Sequence, residues 1–143
     1  MTTPKKPSGS FVHTADIRKA VREDHRNILA LFQLYLNAPA DSRHPIVDQI
    51  LHQLMSHLQM EEELMYADVR KTNERGVELV QAALLEHDEI KAMISEIQES
   101  ETDDDQALDE FFEDMMQSVR GHFLAEERDM FPLIEEIAFQ ESE

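Results

Sequence analysis

The sequence predicts an all-α protein, an up-down-up-down antiparallel four-helix bundle, and three observations predict it. Helix formers dominate, while the chain holds only three glycines and five prolines; few breakers favour long helices. Apolar residues recur three and four apart in four long stretches, the mark of helices with one buried face. Short turn-like segments join the stretches, which favours antiparallel neighbours. A length of 143 residues suits one domain, and 41% hydrophobic residues suffice for one core.

The first helix is expected over about Thr14 to Asn37, with Ile17, Val21, Ile28, Leu31, Phe32 and Tyr35 on one face. Asn37-Ala38-Pro39-Ala40-Asp41-Ser42 reads as a loop. Pro45 suits the first turn of a second helix. That helix carries Val47, Ile50, Leu51, Leu54, Leu58, Met65 and Val69 and ends near Asn73, with Gly76 as a terminator. The third runs from about Val77 to Glu99 with Val80, Leu84, Ile90, Ile94 and Ile97 inward. Asp103 to Asp105 read as a solvated loop and cap rather than a calcium site. The fourth starts near Gln106, and Pro132 is expected to kink or interrupt it after Phe131. The bundle thus spans residues 14–139, with a polar flexible tail over 1–13 and a short tail over 140–143. The N-terminal residues carry no apolar segment of the secretory kind.

Composition narrows the chemistry. A formal net charge of −18 repels phosphates and anionic lipid, so nucleic-acid and membrane binding are not expected. No apolar run reaches the roughly 18 residues that cross a bilayer. There is no Cys, which removes disulfides, thiolate nucleophiles and zinc-thiolate or iron–sulfur ligation, and fits a cytoplasmic location.

The chain repeats itself at an offset of 65 residues (57 to 122). His57-Leu58-Gln59-Met60-Glu61-Glu62-Glu63-Leu64-Met65-Tyr66 matches His122-Phe123-Leu124-Ala125-Glu126-Glu127-Arg128-Asp129-Met130-Phe131. Both follow His-x-x-x-Glu-Glu-x-x-Met-aromatic. A weaker match at an offset of 62 (25 to 87) aligns Asp24-His25 with Glu86-His87. Residues four apart on a helix lie about 40° apart, so each His-x-x-x-Glu pair shares a face. His25 falls among Val21, Ile28, Leu29 and Phe32, and His87 among Val80, Leu84, Ile90 and Ile94. Leu54, Leu58 and Met65 flank one pair, and Val119, Phe123 and Met130 the other. His25, His57, Glu61, His87, His122 and Glu126 should therefore meet in one apolar core.

A buried carboxylate without a cation costs several kcal/mol, and no Lys or Arg points inward in this pattern; Lys91 can reach outward. Bound metal resolves the conflict. Imidazole with carboxylate suits Fe, Mn, Zn or Cu, whereas Mg and Ca prefer all-oxygen sets. Six protein ligands exceed one tetrahedral zinc and suit two metals bridged by carboxylates, for which iron is the usual choice. A lone histidine on an apolar face is usually a satisfied core residue, and His13, His44 and His52 take that reading; it is the repeat that sets the other four apart. The methionines read as core and boundary filler. Tyr35 and Tyr66 could reach the pocket, but packing is their expected role.

These residues resemble the hemerythrin-like, or HHE cation-binding, domain family over about Asp16 to Glu136. The resemblance rests on Asp24-His25, His57-x-x-x-Glu61-Glu62, Glu86-His87-Asp88 and His122-x-x-x-Glu126-Glu127 running on to Met130-Phe131-Pro132. It implies a non-haem centre of two iron ions, oxo- or hydroxo-bridged. His25 and His57 would serve one iron, His87 and His122 the other, with Glu61 and Glu126 bridging. Oxygen-carrying hemerythrins have His-x-x-x-His on the third helix, where this chain has Lys91. Their fourth helix has His-x-x-x-x-Asp, where Glu126 stands at spacing four and Glu127 at five as a less favoured substitute. The four-His, two-Glu set is similar to bacterial hemerythrin-like proteins, iron-centre repair proteins and iron-sensing domains. The resemblance implies a small diatomic or peroxide ligand and binding or reduction of O2, peroxide or NO. The alternative is iron sensing, storage or donation to damaged iron centres. One histidine fewer leaves a position open, which favours peroxide or NO consumption over simple oxygen carriage.

Overall fold

α1 (Thr14–Asn37) buries Ile17, Val21, His25, Ile28, Phe32 and Tyr35, a spacing of threes and fours that lays one stripe along the helix. His25 occupies a place in that stripe where an apolar residue would otherwise sit. The computed structural model describes residues 14–100 and 105–141. The tail expected over 1–13, with His13, and most of the acidic loop lie outside the described residues.

A short 3-10 turn, Ala40–Ser42, leads into α2 (Arg43–Met60), with Pro45 in its first turn. A π-helical turn, Glu61–Met65, carries the chain into α3 (Tyr66–Arg70), so residues 43–70 form one rod. α4 follows (Glu74–Glu99). α5 (Asp105–Ala125), a second π turn (Glu126–Met130) and α6 (Phe131–Glu141) form the last rod. There is no strand among the described residues. α1 packs against α2 and α6, and α4 against α3 and α5, so each rod of the antiparallel bundle has two flanking neighbours.

Two local expectations are corrected. Gly76 does not end the second rod; it lies in the first turn of α4, where its N–H donates to the Asn73 side chain at 2.9 Å. Asn73 is the helix cap. A Cβ on Gly76 would stand 2.1 Å from the Val69 carbonyl oxygen, so the tight passage from α3 to α4 requires glycine. Pro132 does not break the last rod, which stays helical to Glu141. The Phe131 N–H bonds to the Glu126 carbonyl five residues back. Proline in a regular α-helix clashes with the carbonyl four residues earlier; the widened turn just before Pro132 relieves that.

The π turns start at the glutamates of the two His-x-x-x-Glu motifs, at Glu61 and Glu126. The repeat therefore extends to backbone form. Two apolar clusters fill the bundle. One gathers Ile28, Phe32, Tyr35, Leu54, Leu58, Ile90, Phe112 and Val119; the other gathers Val21, Met65, Tyr66, Val80, Ala83, Met130 and Phe131. In each rod the histidine falls at the junction: His25 between Val21 and Ile28, His87 between Ala83 and Ile90. A polar layer thus sits across an apolar interior. Truncating a side chain such as Leu54, which is fully buried, should cost about 2–5 kcal/mol.

Candidate metal centre

All six residues expected to converge do so. His25, His57, Glu61, His87, His122 and Glu126 are each at most 2% exposed. They form two groups, His25, His57, Glu61 and Glu126, and Glu61, His87, His122 and Glu126. Within each group the nitrogen and oxygen atoms lie within 4.8 Å of one another. Both glutamates belong to both groups. Glu61 Oε2 lies 3.4 Å from His25 Nε2 and 3.1 Å from His57 Nε2. Its Oε1 lies 3.1 Å from His87 Nε2 and 3.5 Å from His122 Nε2. Glu126 Oε1 faces His25 Nε2 at 3.2 Å, and its Oε2 faces His122 Nε2 at 3.2 Å. His44 and His52 are exposed.

The outer ring nitrogens follow a rule. His57 Nδ1 pairs with Asp24 at 3.0 Å, His87 Nδ1 with Glu62 at 2.8 Å, His122 Nδ1 with Glu86 at 2.8 Å and His25 Nδ1 with Glu127 at 2.7 Å. The acid of each rod holds the histidine of the next, first to second, second to third, third to fourth and fourth back to first. A carboxylate on Nδ1 fixes the tautomer with the proton outward and the Nε2 lone pair inward. Sequence reasoning missed this role. Its signal was present, since every one of these acids is the immediate neighbour of a core His or Glu in the repeat. Glu127 in particular does not replace Glu126 in the interior; it is partly exposed and holds His25. Lys91 reaches outward, to Glu62 at 2.8 Å.

The two tyrosines part company. Tyr35 packs away from the layer, its hydroxyl donating to Asp109. Tyr66 enters the layer, against the expectation that it only packs. Its hydroxyl donates to Glu126 Oε2 at 2.5 Å and lies 2.8 Å from His87 Nε2. An unbroken α-helix would set Tyr66 about 140° around the axis from Glu61. The π turn between them brings the two back into line, and the hydroxyl lies 3.3 Å from Glu61 Oε1. Periodicity based on α geometry could not see this.

Among the described residues no Lys or Arg is buried, so positive charge must come from elsewhere. In the metal-free chain the rings of His25, His57 and His122 carry it. Burial alone would push the His25 ring down, but Glu126 and Glu61 outweigh that and raise it to about 9. His57 also reaches about 9, burial being overcome by Glu61 and Asp24. Burial lowers His122 too, but Glu126, Glu61 and Glu86 outweigh it and raise the ring to about 12. Burial works against the charge of Glu61, yet His57 and its other partners hold it well below the usual carboxylate range. Without metal, protons on these histidines balance the buried acids. Burial, then Glu61 and Glu126, raise the Tyr66 hydroxyl far above its ordinary value.

Two buried polar atoms, His57 Nε2 and Glu126 Oε1, face Glu61 and His25 at 3.1 and 3.2 Å but make no hydrogen bond of good geometry. Native interiors rarely leave such atoms unsatisfied. Both belong to the same group of four, and a cation there would satisfy both. The nitrogen and oxygen donors suit a transition metal.

Four antiparallel rods closing around a buried layer of imidazoles and shared carboxylates define a cation-binding helical bundle. The chain belongs to the hemerythrin family: the model for the hemerythrin HHE cation binding domain matches residues 16–139. No curated protein and no solved structure matches the chain.

Proposed function

We propose that the chain binds two iron ions and uses them to bind or reduce a small oxidant, O2, peroxide or NO. One observation carries this reading: two groups of four donors share Glu61 and Glu126, and each glutamate turns one oxygen to each group. His25 and His57 would hold one ion and His87 and His122 the other. When bound, the ions supply the electrons and the open coordination positions.

The chain's residues do the rest. Asp24, Glu62, Glu86 and Glu127 keep the four Nε2 atoms aimed inward. Phe123 stacks on His25 with ring centroids 3.8 Å apart and meets His57 edge-on at 5.3 Å, which shields that side from water. The apolar clusters on either side keep the layer dry, so charge there is felt strongly.

Elemental analysis of the purified chain, with absorption spectra before and after oxidation, tests the reading. Two irons per chain are expected, with near-ultraviolet absorption in the oxidised form that azide changes, and consumption of peroxide or NO by the reduced form. A single zinc per chain, or an iron pair inert towards all three oxidants, would refute it.

A further inference from the structure

The two halves of the metal layer are related by the repeat but are not alike. The position of Tyr66 in the first copy is taken by Phe131 in the second. Tyr66 stands in the half formed by Glu61, His87, His122 and Glu126. Its hydroxyl oxygen lies 2.5, 2.8, 3.3 and 3.4 Å from Glu126 Oε2, His87 Nε2, Glu61 Oε1 and His122 Nε2. The four donors keep comparable spacing among themselves: His87 and His122 Nε2 are 2.9 Å apart, and His122 Nε2 is 3.2 Å from Glu126 Oε2. The hydroxyl oxygen is thus placed as one more member of that donor set. In the other half Phe131 offers no oxygen, and its ring centroid lies 6.2 Å from that of His25. The two buried atoms without a hydrogen bond of good geometry, His57 Nε2 and Glu126 Oε1, both belong to that second half.

We propose that Tyr66 is a metal-site residue: its oxygen is the fifth protein donor to the His87/His122 position, leaving the His25/His57 position as the one that takes a small external ligand. This rests on the two-iron reading above. As the metal–oxygen bond forms, the hydroxyl proton now shared with Glu126 leaves to solvent.

The test loads the full chain with ferrous iron, oxidises it with ferricyanide, and records iron content, visible absorption and resonance Raman spectra. The wild type should hold two irons and show a visible phenolate-to-iron band with tyrosinate vibrations. Tyr66→Phe should lose both, while Tyr35→Phe keeps both. Azide should bind without removing the band. Two irons with no such band, a band that survives in Tyr66→Phe or vanishes in Tyr35→Phe, or a band removed by azide would overturn the assignment and leave the two-iron reading standing. A wild type that takes up no iron would overturn both. Should Tyr66→Phe not fold, the wild-type and Tyr35→Phe spectra still decide whether Tyr66 is the ligand.

Discussion

Two buried tyrosines mark two polar networks in one bundle, and the networks balance charge in opposite ways. At one end Tyr35 donates to Asp109, which also pairs with Arg43 at 2.6 Å, and the Arg43 guanidinium lies over the Tyr35 ring at 5.0 Å. That network contains its own permanent cation. In the layer of histidines and glutamates Tyr66 meets Glu126, Glu61 and two histidines, and among the described residues no Lys or Arg is buried with them. A network with a fixed cation is finished when the chain folds. One whose only positive charges are exchangeable stays open to a guest, protons in its absence and metal in its presence.

The strongest way to break this comparison is to delete a donor. His57→Ala and Glu126→Ala should each reduce iron content to near zero, because each removes an inward donor and Glu126 serves both groups. His52→Ala, at an exposed position, should leave iron content unchanged. Circular dichroism on the same samples separates metal loss from unfolding. Full iron occupancy in the His57 variant would contradict the proposed ligand set.

Acidity comes next. In the metal-free chain, His25 and His57 titrate near 9, above the ordinary 6.5. A group with a raised folded value contributes stability in full below about pH 6.5 and loses it as pH climbs through about 9. The metal-free bundle should therefore melt at a lower temperature at about pH 9 than at about pH 6.5. On the proposed two-iron reading the metal must displace those protons, so its affinity should rise over the same interval by up to about tenfold per pH unit for each proton released. Melting curves of metal-free and loaded protein should diverge as pH rises. Parallel curves would show that the imidazoles do not exchange protons for metal.

The ring of outer acids gives a smaller effect. Asp24→Asn and Glu86→Gln keep the shape of the side chain but weaken its hold on His57 Nδ1 and His122 Nδ1. Each should lower iron affinity about 10–100-fold, the usual cost of losing such a partner. Competition with a graded chelator would measure it. Unchanged affinity in both variants would reduce the ring to surface ion pairs.

How far the sequence discloses this arrangement depends on how regular the helices are. The stripe of α1 and the convergence of His25, His57, Glu61, His87, His122 and Glu126 follow from α-helical periodicity, and the structure shows that convergence. Asp24, Glu62, Glu86 and Glu127 were visible as acids beside core residues, but their partners lie on the neighbouring rod, and single-helix reasoning cannot pair them. Tyr66 was hidden for a different reason. Its place depends on the π turn Glu61–Met65, and a change of helix period has no signature in a three-and-four spacing. Gly76 was misread because a glycine near a turn serves equally as a terminator or as room for close approach. The 2.1 Å that would separate a Cβ there from the Val69 carbonyl oxygen decides between them only once the backbone is known.

The finest test sets the tyrosines against each other by the same substitution. Tyr35→Phe removes one hydroxyl from a network in which Asp109 keeps Arg43. The loss is one hydrogen bond, about 1 kcal/mol, seen as a fall of a few degrees in melting temperature. Iron content and the spectrum should not change, because the Tyr35 hydroxyl is held by Asp109, away from the buried histidines and glutamates. Tyr66→Phe removes a hydroxyl that meets two carboxylates which otherwise face only imidazoles and each other. Its effect should depend on metal: a modest shift in the metal-free melting temperature and a larger one in the loaded protein. Equal shifts in both states would make Tyr66 an ordinary core tyrosine, with Tyr35 its counterpart at the far end of the bundle.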